Sequence, residues 1–228
     1  MNPKILIFDA STIISFVMNG LLPEFRELKK IFGGKFIIPV EVREEVIDKP
    51  LKIKRFELEA LKVKQLLDDG VLEMSSVLGV KDSEVSKRAK YLLELANGMF
   101  ISRDREVRLI DSGETACVAL IKILKEKGVD SVFAVDERTT RMLIENPRGL
   151  KDLMERKIHT KVKLKNEHFK NFEGLKIIRS TELIYIAYKK GLIRLKGERV
   201  LDALIYAMRF KGCSISDEEI KGLKKLGK

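Results

Sequence analysis

Residues 4–9 read KILIFD and residues 131–136 read SVFAVD, and this shared pattern of an apolar run closed by an aspartate decides the fold. Each run is short and continuously apolar, as in strands that are buried on both faces of a parallel sheet. A helical pattern follows each aspartate. Apolar runs and helical stretches alternate along the rest of the chain, which predicts an α/β protein with three α/β/α layers and a central parallel sheet.

The other elements are predicted from the same patterns. Strands are expected at residues 36–38, 71–74, 99–101 and 175–178, and helices at residues 11–17, 23–32, 39–48, 54–68, 83–96, 111–127, 181–190 and 198–210, with a further helix ending near residue 145. Residues 147–174 are polar and basic and give no clear pattern. We expect a single domain over residues 1–219, with an extended helical segment at 49–110, a basic insertion at 147–174 and a basic tail at 220–228.

Composition indicates a soluble chain with a charged partner. The net charge is +11, yet residues 1–145 hold 24 Lys and Arg against 24 Asp and Glu, so the excess lies in residues 146–228. A basic half predicts a polyanionic partner, although a solvated surface rich in Lys and Glu, as in thermophile proteins, explains it equally well. No apolar run is long enough for a membrane span, so we expect a cytoplasmic protein without a membrane partner. Cys117 is expected to pack in the core, and a bridge to Cys213 stays open.

Four carboxylates form the candidate site: Asp9, Glu45, Glu114 and Asp136. In an open α/β sheet, ligands bind outside the carboxyl ends of the strands, so these acids are expected to converge. Clustered carboxylates repel one another unless they share protons or hold a cation. The pattern therefore predicts a metal site. As an alternative, Asp9 and Asp136 are helix N-caps and Glu114 belongs to a capping box that starts at Asp111.

Other catalytic chemistries fit the sequence poorly. The two histidines, His159 and His168, both lie in the basic segment, and no stereotyped or apolar pattern surrounds them. They could serve a metal-free ribonuclease as acid and base, but surface positions are the simpler interpretation. The chain has no Gly-x-Ser-x-Gly elbow and no phosphate-binding loop of the Gly-x-x-x-x-Gly-Lys-Ser/Thr type. A phosphoryl acceptor at Asp9 would have a second acid nearby, where Ser11 stands.

Four stretches in the same order resemble the PIN domain, a family of metal-dependent nucleases. They are Ile-Phe-Asp9-Ala-Ser11, Pro39-x-x-Val42-x-x-Glu45-Val46, Asp111-Ser-Gly113-Glu114-Thr-Ala116 and Val135-Asp136-Glu137-x-x-x-Arg141. Residues 177–193, 201–204 and 215–218 also resemble the final strand and helices of a compact prokaryotic subgroup. Glu137 stands where the family usually has a second aspartate. The segments 49–110 and 147–174 are longer than compact members need.

The resemblance implies a ribonuclease that depends on Mg²⁺ or Mn²⁺. Asp9, Glu114 and Asp136 would hold the main ion, and Glu45 would bind a second ion or orient the attacking water. Ser11, Glu137 and Arg141 are possible supporting residues. RNA would contact the basic segment, chiefly at Arg156, Lys157, Lys161, Lys163 and Lys165, while Phe169 and Phe172 are expected to pack in the core rather than stack on bases.

Partner predictions are broader. A homodimer is possible, as is an antitoxin or another protein partner, although toxins of such pairs are usually shorter. The alternative function is a non-catalytic RNA-binding or scaffold protein that retains the PIN fold.

Overall fold

The computed structural model describes residues 4–103 and 105–226, with the backbone alone at 166 and 167. The ends of the predicted domain and tail, residues 1–3 and 227–228, lie outside the described residues. The strands are β1 (Ile5–Phe8), β2 (Lys35–Ile38), β3 (Glu73–Met74), β4 (Phe100–Ser102), β5 (Arg105–Glu106), β6 (Ser131–Ala134), β7 (Lys163–Leu164) and β8 (Ile177–Ile178). Five of them form a parallel sheet in the order β3-β2-β1-β6-β8.

Helices cover this sheet, which confirms the predicted three-layer α/β/α fold. They are α1 (Ala10–Met18), α2 (Leu22–Phe32), α3 (Val40–Arg43), α4 (Glu57–Asp68), α5 (Asp82–Gly98), α6 (Ser112–Glu126), α7 (Arg138–Glu145), α8 (Pro147–Ile158), α9 (Ser180–Lys189), α10 (Val200–Phe210) and α11 (Asp217–Leu226). Helix α9 packs against α1, α2 and α10, whereas α6 packs against α3 and α5. Among the described helices, none is both long and apolar enough to span a bilayer.

The core explains why the central strands lie where they do. All four residues of β1 are buried. Phe8 at its end packs against Phe25 and Phe36, with ring centroids 5.1 Å and 4.8 Å apart, and Phe16 packs on Phe25 at 5.2 Å. Tilted and edge-to-face rings add specific attraction to the area they bury. These aromatic contacts hold α1 and α2 against β1 and β2.

The register of the central strands sets the position of the candidate site. Phe8 of β1 lies opposite Ala134 of β6, so the two strands end side by side. The backbone amide of Asp9 continues the ladder by donating to the Ala134 carbonyl at 2.9 Å. Strand β2 pairs with β1 on the other side and leads into α3. The segments that follow β1, β2 and β6 therefore start at one edge of the sheet.

Residues 39–48 differ from the prediction of one continuous helix. The α-helix ends at Arg43, and Glu44–Asp48 forms a π-helical turn. The amide of Lys49 donates to the Glu44 carbonyl at 2.9 Å, which is the wider i to i+5 bond. Such a turn rotates the side chains after it relative to an α-helix and is common at functional sites. The wider turn contains Glu45.

A second sheet joins the two long segments that the sequence analysis set apart. Strands β5, β4 and β7 are antiparallel, with β4 in the middle. Strands β4 and β5 come from the segment 49–110, and β7 comes from the basic segment 147–174. The strand predicted at 99–101 therefore exists, but it belongs to this small sheet. Residues 147–158, which gave no pattern, form α8, and Asn146 caps it by accepting from the amide of Gly149 at 3.0 Å.

Candidate functional site

Asp9 lies at the centre of the candidate site, directly after β1. Its carboxylate caps α1: Oδ2 accepts from the Ser11 amide at 2.9 Å and from the Ser11 hydroxyl at 2.5 Å. The residue is only 3% exposed. Burial raises the pKa of Asp9 above its ordinary value, and the charge of Asp136 raises it further, against the lowering effect of the Ser11 bonds. Asp9 therefore caps α1, and its carboxyl group still ionises less readily than that of an exposed aspartate.

Ser11 links the two strand ends. While its hydroxyl donates to Asp9, it accepts a hydrogen bond from the backbone amide of Asp136 at 3.1 Å. One side chain therefore fixes the carboxylate after β1 relative to the backbone after β6. The supporting role predicted for Ser11 at a metal site stays a prediction.

Asp136 is fully buried, and both of its oxygens have a donor. Oδ2 accepts from the Ser15 hydroxyl at 2.6 Å, and Oδ1 accepts from the Ser180 backbone amide at 2.7 Å, at the start of α9. The alternative that Asp136 caps the helix after β6 is wrong. Glu137 takes that position, and its carboxylate accepts from the Thr140 amide at 2.7 Å.

Ser15 and Ser180 contact the site, yet no sequence pattern predicted them there. Ser15 could have served as a hint, because it places a hydroxyl between Ile14 and Phe16 in a largely apolar part of α1. A hydroxyl on the buried side of a helix needs a polar partner, so its presence implies a polar group in the sheet beneath. Ser180 contributes a backbone amide, for which the residue type carries no signal.

Glu114 lies in the first turn of α6, as the capping-box spacing predicts. Its Oε2 accepts from the Asp111 backbone amide at 2.7 Å. Burial, followed by the charge of Asp9, raises the pKa of Glu114 to about 8, against the lowering effect of the backbone bonds. Glu114 is therefore both a helix cap and a carboxyl group within electrostatic reach of Asp9.

Glu45 approaches the same helix from the π-helical turn. Its pKa is raised by burial first and then by the charge of Asp9, while Lys49 and the nearby Gly113 amide lower it. The Ser112 hydroxyl donates to its Oε1 at 3.5 Å. A Cβ added at Gly113 would lie 2.9 Å from both carboxylate oxygens of Glu45. Gly113 therefore provides the space into which the Glu45 carboxylate fits.

The structure brings the four predicted acids, which we call the acidic site, to one edge of the central sheet. Asp9 raises the pKa of both glutamates and Asp136 raises that of Asp9, so the other three carboxyl groups lie within electrostatic reach of Asp9. Among the described residues, however, no group of three or more His, Cys, Asp or Glu has an arrangement that could hold a metal ion. The acids share an electrostatic environment, but several of their oxygens face amides and hydroxyls of the protein instead of one common point.

The two cysteines add no ligand to the acidic site. The Cys117 thiol donates to the Phe8 carbonyl at 3.5 Å, and burial, with the surrounding carboxylates, raises its pKa well above its ordinary value. Cys213 contacts Thr181, and burial raises the pKa of its thiol to about 12. Both are free thiols, so the bridge left open by the sequence is absent.

Arg141 contacts residues other than the four acids, although the amide of its partner Ser214 donates to the Asp136 backbone carbonyl at 3.2 Å. Its guanidinium donates to the Ser214 carbonyl at 2.5 Å and forms ion pairs with Glu145 at 3.6 Å and Glu219 at 3.8 Å. It therefore ties α7 to the segment before α11. Together with the N-cap role of Glu137, these contacts give both predicted supporting residues a structural position.

The predicted RNA-binding residues lie on a separate surface. Arg156 and Lys157 occupy the last turn of α8, and Lys161, Lys163 and Lys165 are exposed around β7. Neither histidine belongs to the acidic site: His159 ends α8 in a left-handed conformation, with φ of 51°. Phe169 and Phe172 are buried, which confirms that these rings pack in the core.

No protein-family model matches the chain, and neither a curated protein nor a solved structure is significantly similar to it.

Proposed function

We propose that this protein is a Mg²⁺- or Mn²⁺-dependent ribonuclease that hydrolyses RNA phosphodiester bonds at the acidic site, as the resemblance to PIN domains implies. The observation that carries the proposal is that buried carboxyl groups from separate segments meet at one sheet edge: Ser11 joins Asp9 to Asp136, and Glu45 lies against Gly113, next to Glu114. Burial and mutual charge raise the pKa of Asp9, Glu45 and Glu114 there. Buried carboxylates that resist ionisation are stabilised by a cation, which neutralises their mutual repulsion. The edge also lies where open α/β sheets bind ligands.

The donor chemistry suits a hard divalent ion. The site offers carboxylate oxygens, which Mg²⁺ and Mn²⁺ prefer, and these ions keep several waters when bound. The thiol near the site is protonated and buried, which disfavours a soft metal. Because the oxygens do not converge on one point, we propose that part of the contact to the ion passes through water.

Asp9 and Glu114 are the residues proposed to hold the ion. Asp136 already accepts a hydrogen bond at each oxygen, so its role is to add negative charge and to contact an ion-bound water. Glu45 in the π-helical turn lies against Gly113 of α6, and its carboxylate would accept a proton from the attacking water. The bound ion would supply a lowered pKa of water and neutralisation of phosphate charge.

The first test is the neutral variant Asp9→Asn. Asparagine can still accept the Ser11 bonds with its carbonyl oxygen, so the fold should persist while the charge is lost. We expect cleavage of labelled RNA in Mg²⁺ or Mn²⁺ to fall by about 100-fold or more. Asp130→Asn is the matched control, because Asp130 is exposed and precedes β6 at the opposite end of that strand. Undiminished cleavage by Asp9→Asn would count against the proposal.

The second test separates the ribonuclease from the non-catalytic alternative, which the absence of a ligand triad among the described residues favours. Calorimetric titration with Mn²⁺ alone should show binding to the wild type that is weakened in Glu114→Gln. RNA binding without ion binding or cleavage would favour the scaffold. The predicted homodimer and antitoxin partner stay predictions; α4 exposes Leu58 and Leu61, which would suit either.

A further inference from the structure

The small antiparallel sheet combines two segments that lie about sixty residues apart in the chain. Ile101 in the central strand β4 lies opposite Lys163 on one side and Glu106 on the other. Phe100 and Leu164, the next pair, face the core. The amide of Lys165 extends the ladder by donating to the Met99 carbonyl at 2.9 Å. The outer face of the sheet therefore carries Ile101 with Glu106 on one side of it and Lys163 on the other.

Lysines occupy the outer face of the edge strand β7. Lys163 and Lys165 flank the inward Leu164, and because side chains alternate along a strand, both point away from the core. Neither forms an ion pair with a described residue. Lys161 precedes them with its side chain 95% exposed, and its only ion pair among the described residues is a loose contact of 3.6 Å to Glu155.

Arg103 lies in the turn between β4 and β5 and has an unfavourable backbone conformation. Its φ is 49°, in the left-handed region that glycine and asparagine favour and that arginine rarely adopts. Ser102 and Arg105 pair across this turn, so the connection is tight. Arg103 and Arg105 form no ion pair within the part of the chain that the structure describes. The turn alone does not favour an arginine here, which points to a role for its charge.

The basic sheet leads directly to the acidic site. After β5, Arg108 forms an ion pair with Asp111 at 2.6 Å, and Asp111 precedes the helix that carries Glu114. Asn97 fixes this connection by accepting from the amide of Leu109 at 2.7 Å. Asp111 follows Arg105 by six positions, so their Cα atoms are at most about 22 Å apart. One RNA strand of several nucleotides can reach both places.

We propose that the outer face and turn of the small sheet, where Arg103, Lys161, Lys163 and Lys165 are exposed, bind the phosphate backbone of the RNA that the acidic site cleaves. This inference rests on the proposed function for the identity of the polymer. No aromatic side chain of the three described strands is exposed, since Phe100 is buried against Phe169. The surface therefore contacts phosphates and does not stack on bases, and binding should depend on salt and not on sequence.

The test uses the full chain carrying Asp9→Asn, so that RNA is bound without being cleaved. Affinity for a labelled single-stranded RNA is measured at several KCl concentrations. Each lost phosphate contact should reduce the salt slope by about 0.7, so a variant with Arg103, Lys163 and Lys165 all changed to Asn should lose about 2 from the slope and bind about 10-fold or more weaker at low salt. Lys190→Asn at the end of α9, an exposed lysine, is the control and should leave the slope unchanged.

Arg103→Asn alone distinguishes a binding role from a structural role. Asparagine suits the left-handed turn, so thermal stability should be equal or higher while RNA affinity falls. An unchanged slope in the triple variant, or no RNA binding by the full chain, would overturn the inference. RNA binding that depends on the sheet, in a wild type that does not cleave, would support this surface and refute the ribonuclease. If the wild type cleaves RNA and the triple variant changes neither the cleavage nor the salt slope, the ribonuclease is supported and the role of this surface is refuted.

Discussion

Replacing Glu114 with glutamine should stabilise the protein, and the gain should grow as the pH rises. The glutamine keeps a carbonyl oxygen that can accept from the Asp111 amide, so the capping bond of α6 survives. What disappears is the negative charge that burial and Asp9 oppose. The substitution therefore isolates the electrostatic cost of the acidic site from its hydrogen bonding.

The direction of this pH dependence follows from the pKa of Glu114 in the folded and in the unfolded state. Glu114 has a pKa of about 8 in the folded protein against an ordinary value of 4.5. Between these values the folded state keeps a proton that the unfolded state has released, so raising the pH favours unfolding of the wild type. The gain of Glu114→Gln should increase by up to about 1.4 kcal/mol per pH unit in this window, reach about 3 kcal/mol between roughly pH 5 and 8, and level off above pH 8.

Urea denaturation in EDTA at several pH values measures this difference directly. In thermal melts it corresponds to about 6–12 °C, given about 2–4 °C per kcal/mol for a chain of this size. Glu198→Gln neutralises an exposed carboxylate and should give a curve parallel to that of the wild type. If Glu114→Gln also runs parallel to the wild type, or loses stability as the pH rises, Glu114 is not a buried acid beside Asp9 and the electrostatic argument for the acidic site fails.

Two further substitutions test how the acids are held. Gly113→Ala places a Cβ against Glu45, so we expect cleavage to drop by about 10-fold or more. The control is Gly222→Ala, where a Cβ meets nothing within 4 Å; it should leave cleavage unchanged and stabilise α11 by up to about 1 kcal/mol. Equal cleavage by the two alanine variants would refute the steric role of Gly113. Ser15→Ala removes a donor from the buried Asp136 and should cost about 1–3 kcal/mol in urea denaturation, a loss that the exposed Ser83→Ala should not show.

The central sheet could be predicted because its strands are recognisable one at a time. Residues 4–9 and 131–136 are apolar over several positions and end in an acid, and burial on both faces requires that composition. Parallel strands must then align at their carboxyl ends, which places Asp9 and Asp136 at one edge without further information. The same reasoning found Glu114, because a capping box has a fixed spacing.

The small sheet could not be predicted, because its information is not local. Its strands have two or three residues, and Phe100 pairs with Leu164, far along the chain. A period of two cannot be recognised over so few positions. The π-helical turn at Glu44–Asp48 is also invisible in sequence, since it depends on one displaced hydrogen bond and not on a residue type.

The acidic site divides its carboxylates between two roles, and this division explains why single-residue patterns were ambiguous. Each oxygen of Asp136 accepts one hydrogen bond, from the Ser15 hydroxyl and from the Ser180 amide, so both of its buried oxygens have a partner within the protein. For Asp9 and Glu114, the local hydrogen bonds do not compensate the burial, and their pKa values stay raised. Capping and ligand binding are therefore not exclusive explanations. A cap fixes one oxygen of the carboxylate, and the charge that the cap leaves uncompensated is what a proton or a divalent ion would neutralise.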